Sequence, residues 1–214
     1  MPKISDARKE SRRQQILDAA RRCFAREGFH ATTTADIARE SGVSQGTLYL
    51  YFATKDDVIL ALADDRRESE ALVHAMAQSE QDPAEGLALL LEVYGRSLAD
   101  PARDEARRVG VQGWAEALRN PTIRAGVTAG MAEVRTELVR LVERGRAAGR
   151  FRDDIDPDAV ARTLIATFQG LTLQAAWGEP LDLGGIGRLL RAMIRGALFT
   201  EPSFADATQP RDRE

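Results

Sequence analysis

The sequence predicts an all-α protein of about nine helices, and three observations lead to this fold class. No segment of useful length alternates apolar and polar residues, as a half-buried strand would. Apolar residues instead recur at three- and four-residue spacing, which is typical of amphipathic helices. In addition, four pairs each predict an N-cap followed by proline at the first helical position: Asp82-Pro83, Asp100-Pro101, Asn120-Pro121 and Asp156-Pro157.

The N-terminal helices are predicted from apolar spacing and caps. The first covers residues 11–27 and ends at Gly28, because one apolar face runs along it: Ile16, Leu17, Ala20, Cys23 and Phe24. Side-chain caps predict the starts of three more helices. The first is capped by Thr33 together with Asp36, the second by Ser44 alone, and the third by Thr54 together with Asp57. The last of these begins near residue 55 and is expected to reach about residue 75. Five further helices are predicted over 83–99, 101–119, 121–148, 157–177 and 182 to about 199.

Charge divides the chain into two unlike parts. Residues 1–55 hold ten Lys and Arg against six Asp and Glu, whereas the remainder holds 20 against 27. A basic end attached to an acidic body is typical of a protein that meets phosphates at one end. We therefore predict a DNA-binding domain with a basic N-terminal arm over 1–55, a separate body over 56–200, and a disordered tail over 201–214.

Composition favours a soluble cytoplasmic protein. Cys23 is the only cysteine, so no intrachain disulfide can form, and we expect it to pack as a small hydrophobe. The polar, basic N-terminus lacks the apolar core of a secretory signal. Arg162 and Gln169 interrupt the best candidate for a membrane span, so no membrane partner is expected.

Residues 33–52 carry the most informative pattern. Ala38 is small enough for two helices to cross closely, and Gly42, four residues later, suits a turn that needs positive φ. Leu48 falls six residues beyond Gly42, on the inward face of the next helix. This ordered trio predicts a helix-turn-helix unit, and we assign Leu48 and Phe52 to its core.

The polar residues around the second helix of this unit predict the DNA contacts. Ser44 caps the helix so that its first N–H groups face a phosphate, and Gly46 lets the backbone approach closely. Gln45 can pair with adenine, and the methyl group of Thr47 suits the thymine methyl group. The hydroxyl groups and cations nearby are expected to contact phosphate. The full set of predicted DNA-binding residues is Arg12, Thr33, Ser44, Gln45, Gly46, Thr47, Tyr49, Tyr51 and Lys55. Taken alone, either tyrosine would more often be a packing residue.

A recurring family pattern runs through residues 11–60. It includes Ile16-Leu17-Asp18-Ala19-Ala20, Gly28-Phe29, Ile37-Ala38, Gly42-Val43-Ser44, Gly46-Thr47-Leu48-Tyr49 and Tyr51-Phe52. This segment, about a quarter of the chain, resembles the DNA-binding domain of the TetR/AcrR family of bacterial transcriptional repressors. Two positions depart from the pattern. Gln45 stands where a basic residue is commoner, which is expected to alter the preferred operator, and Thr34 stands where an apolar residue is commoner.

The resemblance implies a regulator that binds double-stranded DNA as a homodimer. Its two heads would enter successive major grooves of a palindromic operator, with half-site centres roughly 34–36 Å apart. Release by a small hydrophobic or amphipathic effector is the expected control. A dimer that binds DNA constitutively, or under the control of a protein partner, is the alternative.

The resemblance also assigns two roles to the body. The last two helices are apolar on more than one face, which favours a four-helix dimer interface over a hairpin buried within one subunit. The predicted interface residues are Leu164, Phe168, Leu171, Ile186, Leu190, Met193 and Ile194. Family members usually hold a small-molecule pocket between the head and the dimer face. Its candidate lining residues, each of which could instead be core, are Tyr94, Gln112, Trp114, Met131, Phe168, Gln169 and Thr172.

Patterns of catalysis and metal binding are not found. The acidic run from Asp153 to Asp158 fails as a calcium loop, because Ala159 and Ile165 stand where glycine and glutamate are needed. His30 and His74 have no metal-ligand spacing, and no nucleophile elbow or phosphate loop occurs. We therefore predict no catalytic residue, metal or cofactor, with an enzyme left as a formal competitor.

Overall fold

The computed structural model describes residues 6–64 and 82–194. Within these ranges the chain forms nine α-helices and one 3-10 turn, and no strand. The helices are α1 (Asp6–Ala31), α2 (Thr34–Ser41), α3 (Gln45–Tyr49), α4 (Lys55–Asp64), α5 (Pro83–Ala99), α6 (Asp104–Glu116), α7 (Pro121–Ala147), α8 (Pro157–Ala176) and α9 (Leu183–Ile194). The all-α fold class is confirmed. The predicted ends near residues 75 and 199, and the tail over 201–214, lie outside the described residues.

Two predicted helix boundaries are wrong. The first helix begins at Asp6, earlier than residue 11, whereas the non-helical Gly28, at φ 80 and ψ 167, interrupts it where its end is predicted; a short helical segment to Ala31 follows the kink. The single helix predicted over 101–119 is divided into a 3-10 turn, Pro101–Arg103, and α6. The guanidinium of Arg107 donates to the carbonyl groups of Leu98 and Asp100 at 3.0 and 3.2 Å, which holds the chain in this turn.

The predicted caps account for most helix starts. Asp100, Asn120 and Asp156 each accept hydrogen bonds from backbone N–H groups of the turn that follows them. Thr33 forms a reciprocal capping box with Asp36. These caps satisfy N–H groups that have no partner inside the helix, so they fix where each helix begins.

Two apolar clusters form the core. The first joins α1–α4 to three residues of the body, Val109, Ala117 and Ile123. Cys23 is buried in it as predicted, and this burial raises the pKa of its thiol. The second cluster lies among α5, α7 and α8. The head therefore shares its core with the body, and the predicted boundary at residue 55 coincides with the first residue of α4. None of the helices described is both long and apolar enough to cross a bilayer.

Candidate DNA-binding surface and body cavity

The turn between α2 and α3 has the geometry that its sequence predicts. Gly42 adopts φ 69 and ψ 19, and the N–H of Val43 donates to the carbonyl of Ala38 at 3.1 Å. Only glycine enters this left-handed region without a steric cost. Ala38 and Leu48 are buried, with Leu48 fully inaccessible. The predicted turn at Gly42 and the predicted burial of Leu48 are confirmed, so the opposite side of α3 faces solvent.

The outward side of α3 is polar and accessible. Ser44, Gln45, Gly46 and Tyr49 are exposed, and Thr47 is half-buried. The Ser44 hydroxyl accepts the Thr47 N–H at 3.1 Å and lies 2.8 Å from the Thr47 hydroxyl. This short network fixes the rotamers at the start of α3 and leaves the Gln45 side chain at the surface.

Tyr49 is held by a contact that the sequence analysis missed. Its hydroxyl lies 3.1 Å from the Thr34 hydroxyl, although the two residues are 15 positions apart. Tyr49 remains 47% exposed, so its ring is positioned at the surface and not buried. The sequence analysis identified Thr34 only as a polar residue where the family more often has an apolar one. That departure was the signal that could have indicated a polar contact at this position.

Thr33 serves the cap of α2. Its hydroxyl donates to an Asp36 carboxylate oxygen at 2.6 Å, and the Thr33 N–H donates to the same oxygen at 3.0 Å. These hydrogen bonds lower the pKa of the Asp36 carboxyl group, and the bond from the Thr33 hydroxyl has the larger effect. A contact from Thr33 to DNA therefore stays a prediction, and it would have to share this hydroxyl.

Lys55 lies in a different environment from the one its sequence position predicted. Its ammonium donates to the carbonyl of Phe29 at 2.5 Å and to that of Thr32 at 3.1 Å. These carbonyls lie where α1 ends, at the negative end of the helix dipole. Lys55 thus joins the end of α1 to the start of α4, and its charge is used inside the head. The structure therefore does not show Lys55 as the exposed cation that was expected to contact a phosphate.

Much of the positive charge counted in the head is neutralised locally. Five of its arginines form ion pairs with carboxylates: Arg13 with Glu10, Arg21 with Asp18, Arg22 with Glu40, Arg26 with Glu27, and Arg39 with Asp36. The hydrogen bond from Arg22 lowers the pKa of Glu40. At the start of α1, the cations without a carboxylate partner among residues 6–64 are Arg8, Lys9 and Arg12. Arg13 lies over the Phe52 ring, 5.7 Å from its centroid.

Polar contacts join α1 and α4 to α6 and to the start of α7. The Gln112 amide donates to the Phe24 carbonyl at 3.1 Å. His30 lies 3.2 Å from the Glu116 carboxylate. The Asn120 amide, whose oxygen caps α7, donates to the Asp56 carboxylate at 2.8 Å. The first turn of α4 is therefore bonded to the first turn of α7.

A cavity of about 1010 Å³, called the body cavity below, is lined mostly by residues of the body and also by residues of α1 such as Arg13 and Arg21. Five of the seven predicted pocket residues line it: Tyr94, Trp114, Met131, Phe168 and Thr172. Gln112 and Gln169 are not among its described lining residues, because Gln112 bonds to the head and the Gln169 amide lies 3.8 Å from the Met131 sulfur. Residues 59–63 of α4 form part of its wall. The helix that begins in the head thus also bounds the cavity.

The predicted dimer residues whose side chains the structure describes are half-buried in the single chain, and their role in an interface stays a prediction. Five of them line the cavity: Leu164, Phe168, Leu171, Ile186 and Leu190. Met193 is half-buried, and the side chain of Ile194 lies outside the description. Two large apolar side chains in the described part of this region are exposed, Trp177 just after α8 at 69% and Leu189 of α9 at 51%. Helical periodicity showed that these helices are apolar on several sides, but it did not show which side meets the cavity.

Two family profiles match the chain. The profile described as bacterial regulatory proteins, tetR family, matches residues 16–62. The profile described as BetI-type transcriptional repressor, C-terminal, matches residues 83–198. Among curated proteins, the HTH-type transcriptional repressor Rv1474c of Mycobacterium tuberculosis is 32% identical over 205 residues, which cover 91% of this chain and 99% of that protein.

Solved structures show the same architecture. Salmonella enterica GusR is 27% identical with a TM-score of 0.75, over 92% of this chain and 99% of that chain. A transcriptional regulator from Saccharomonospora viridis, solved in complex with choline, is 28% identical with a TM-score of 0.71. That alignment covers 86% of this chain and 96% of the other.

Proposed function

The chain belongs to the TetR family of bacterial regulatory proteins and is a DNA-binding transcriptional regulator, and from this premise we propose that it acts as a homodimeric repressor released by a ligand in the body cavity. The observation that carries the proposal is that α4 contacts both the head and the cavity. Its first residue, Lys55, is bonded within the head, while residues 59–63 bound the cavity. A ligand that favours one arrangement of α4 would change the position of the head.

The DNA contacts proposed for the head are those on the outward side of α3. Gln45 supplies base recognition, since an amide can donate to and accept from an adenine edge in the major groove. Tyr49 supplies a phosphate contact, since its hydroxyl is held at the surface by Thr34. Arg8, Lys9 and Arg12 at the start of α1 supply the cations that attract the DNA backbone.

Selection from a randomised duplex pool tests this division of roles. We expect the Gln45→Ala variant to select a site that differs from the wild-type site at one or two positions per half-site, because a base contact is lost. Tyr49→Phe serves as the matched control and should select the wild-type site while binding specific and scrambled duplexes more weakly by the same factor. Equal losses on both duplexes for Gln45→Ala would contradict its proposed role.

A homodimer is supported by apolar side chains at α8 and α9 that the single chain does not bury. Trp177 and Leu189 are exposed, and an isologous interface formed by these helices would bury them. Light scattering should therefore give twice the mass of the chain at micromolar concentration. Leu189→Glu should shift the mass toward that of one chain, whereas a constant mass would place the interface elsewhere.

Ligand release is supported by the cavity, whose volume suits a small molecule. The related structure from Saccharomonospora viridis holds choline, so a protein of similar fold accommodates such a ligand. A thermal-shift screen of hydrophobic and amphipathic compounds should yield stabilising ligands that also lower operator affinity. A compound that binds tightly in the cavity and leaves operator affinity unchanged would favour the alternative, a dimer that is constitutive or controlled by a protein partner.

A further inference from the structure

Thr172 of α8 carries a polar atom that the fold does not satisfy. The residue is 6% exposed and lines the body cavity. Its hydroxyl oxygen is buried, with no hydrogen-bond partner among the described residues. A buried hydroxyl without a partner is unfavourable and uncommon in folded proteins. Its presence in a cavity wall indicates that its partner is a molecule that enters the cavity.

Other threonines of the same helix show that this arrangement is not imposed by the helix. The hydroxyls of Thr163 and Thr167 donate to the carbonyls of Ala159 and Thr163, each at 2.8 Å. This bond to the preceding turn is the usual resource of a helical threonine. Thr172 does not use it, so the hydrogen-bonding capacity of its buried hydroxyl is unused.

The surroundings of Thr172 are apolar and aromatic. Phe168 precedes it by one helical turn, which places both residues on the same face of α8. The Phe168 ring packs against the Tyr94 ring with 4.4 Å between their centroids, and both line the cavity. One hydroxyl beside an aromatic wall suits a molecule that is largely apolar and has one hydrogen-bonding group.

Among the lining residues that the structure describes, the charged side chains provide no separate counterion for a ligand. The arginines in the described lining are already engaged: Arg13 with Glu10, Arg21 with Asp18, Arg103 with Asp100, and Arg107 with the carbonyls of Leu98 and Asp100. Glu133, on α7, is exposed to solvent. A ligand charge placed in the apolar interior would lose its hydration without a compensating partner.

We propose that the Thr172 hydroxyl is the hydrogen-bonding partner of the effector, and that the effector is an uncharged amphiphile with an apolar body and one hydroxyl or carbonyl group. This inference rests on the proposed ligand-controlled function and specifies the chemistry of its site. It also predicts that one substitution at position 172 changes the stability of the ligand-free protein and its affinity for the ligand in opposite directions. Valine has the shape of threonine without the hydroxyl, so Thr172→Val should raise the melting temperature of the ligand-free protein while weakening the ligand.

The test uses three probes with the same alkyl chain: 1-decanol, decanoate and decyltrimethylammonium. Calorimetric titration of the full chain without DNA should show that 1-decanol binds more tightly than either charged probe. Thr172→Val should weaken 1-decanol about 3- to 10-fold, the value of one neutral hydrogen bond. Thr172→Ser, which keeps the hydroxyl, should bind it as the wild type does.

The outcomes separate this inference from the proposed function. Equal binding of 1-decanol by wild type and Thr172→Val, tighter binding of a charged probe, or no saturable binding of any probe would overturn the role of Thr172. A lower melting temperature of the ligand-free Thr172→Val variant would also overturn it, since the hydroxyl would then stabilise the fold. A second titration adds 1-decanol to the protein bound to its selected duplex. Thr172-dependent binding without release of DNA would support the inference while refuting ligand release.

Discussion

Replacing Lys55 by methionine separates two roles that one lysine could have in the head. Methionine keeps much of the apolar stem but cannot donate to the carbonyls of Phe29 and Thr32. A hydrogen bond from a charged group contributes about 1.5–3 kcal/mol, and two are lost here. Because the side chain is only partly buried, solvent replaces much of each bond, and we expect a loss of about 2 kcal/mol in the free energy of unfolding.

Thermal unfolding at fixed protein concentration measures this loss. A change of about 2 kcal/mol corresponds to a decrease of roughly 4–8 °C in Tm for a chain of this size. Fluorescence anisotropy with the selected duplex, over a series of salt concentrations, measures phosphate contacts. Each contact contributes about 0.9 to the slope of log K against log salt, so two heads would contribute about 2. If Lys55 acts within the protein, Lys55→Met leaves this slope unchanged at temperatures where the variant is folded.

Lys9 provides the matched control. It is exposed near the start of α1, where a cation can meet DNA without serving the fold. Lys9→Met should therefore reduce the salt slope and leave Tm unchanged, the reverse of the pattern for Lys55→Met. If Lys55→Met instead reduced the slope by about 2 and left Tm as in the wild type, the ammonium would serve phosphate, and the assignment from the carbonyl contacts would be wrong.

Three further predictions concern the head. Thr34→Val should weaken operator binding about 2- to 5-fold, as should Tyr49→Phe, because each removes one neutral hydroxyl contact; anisotropy on the double variant should show losses smaller than the sum, and additive losses would refute the pairing. The lowered pKa of Asp36 means that its contribution to stability is complete above the ordinary carboxyl pKa and is lost as pH falls through the lowered one. Asp36→Asn should thus flatten the acid side of the stability curve in urea titrations, and an unchanged pH dependence would argue against the Thr33 bonds. Leu48→Ala should cost about 2–5 kcal/mol in the same urea assay, since the side chain is fully buried; a loss below 1 kcal/mol would contradict its place in the core.

Local signals made the helix starts and the head predictable. An Asn or Asp before proline needs only the next few residues to act as a cap, and Asn120 and Asp156 do so. The turn at Gly42 likewise depends on a short range of chain, because one residue must adopt positive φ.

Contacts between distant positions were not predictable from the same signals. The partners of Lys55 lie 23 and 26 residues away, so its position at a helix start suggested solvent and phosphate instead. Apolar spacing on α8 and α9 did not distinguish a cavity wall from a subunit interface, because both require the same residue types. Phe168 was placed in both sets for this reason, and the structure places it in the cavity wall.

The hydrogen bond between Asn120 and Asp56 anchors the first turn of α4, and residues 59–63 farther along the helix bound the cavity. Since the first turn of α4 is bonded to the start of α7, displacement of the cavity wall tends to rotate the helix about that point. Leu62 lies about 9 Å along the axis from Asp56, so a shift of about 1 Å at Leu62 corresponds to a rotation of about 6°. Asp56 is then the pivot of this rotation. We expect a ligand that displaces the cavity wall to tilt α4 about its first turn while the Asn120 bond stays formed, which would change the angle of the head.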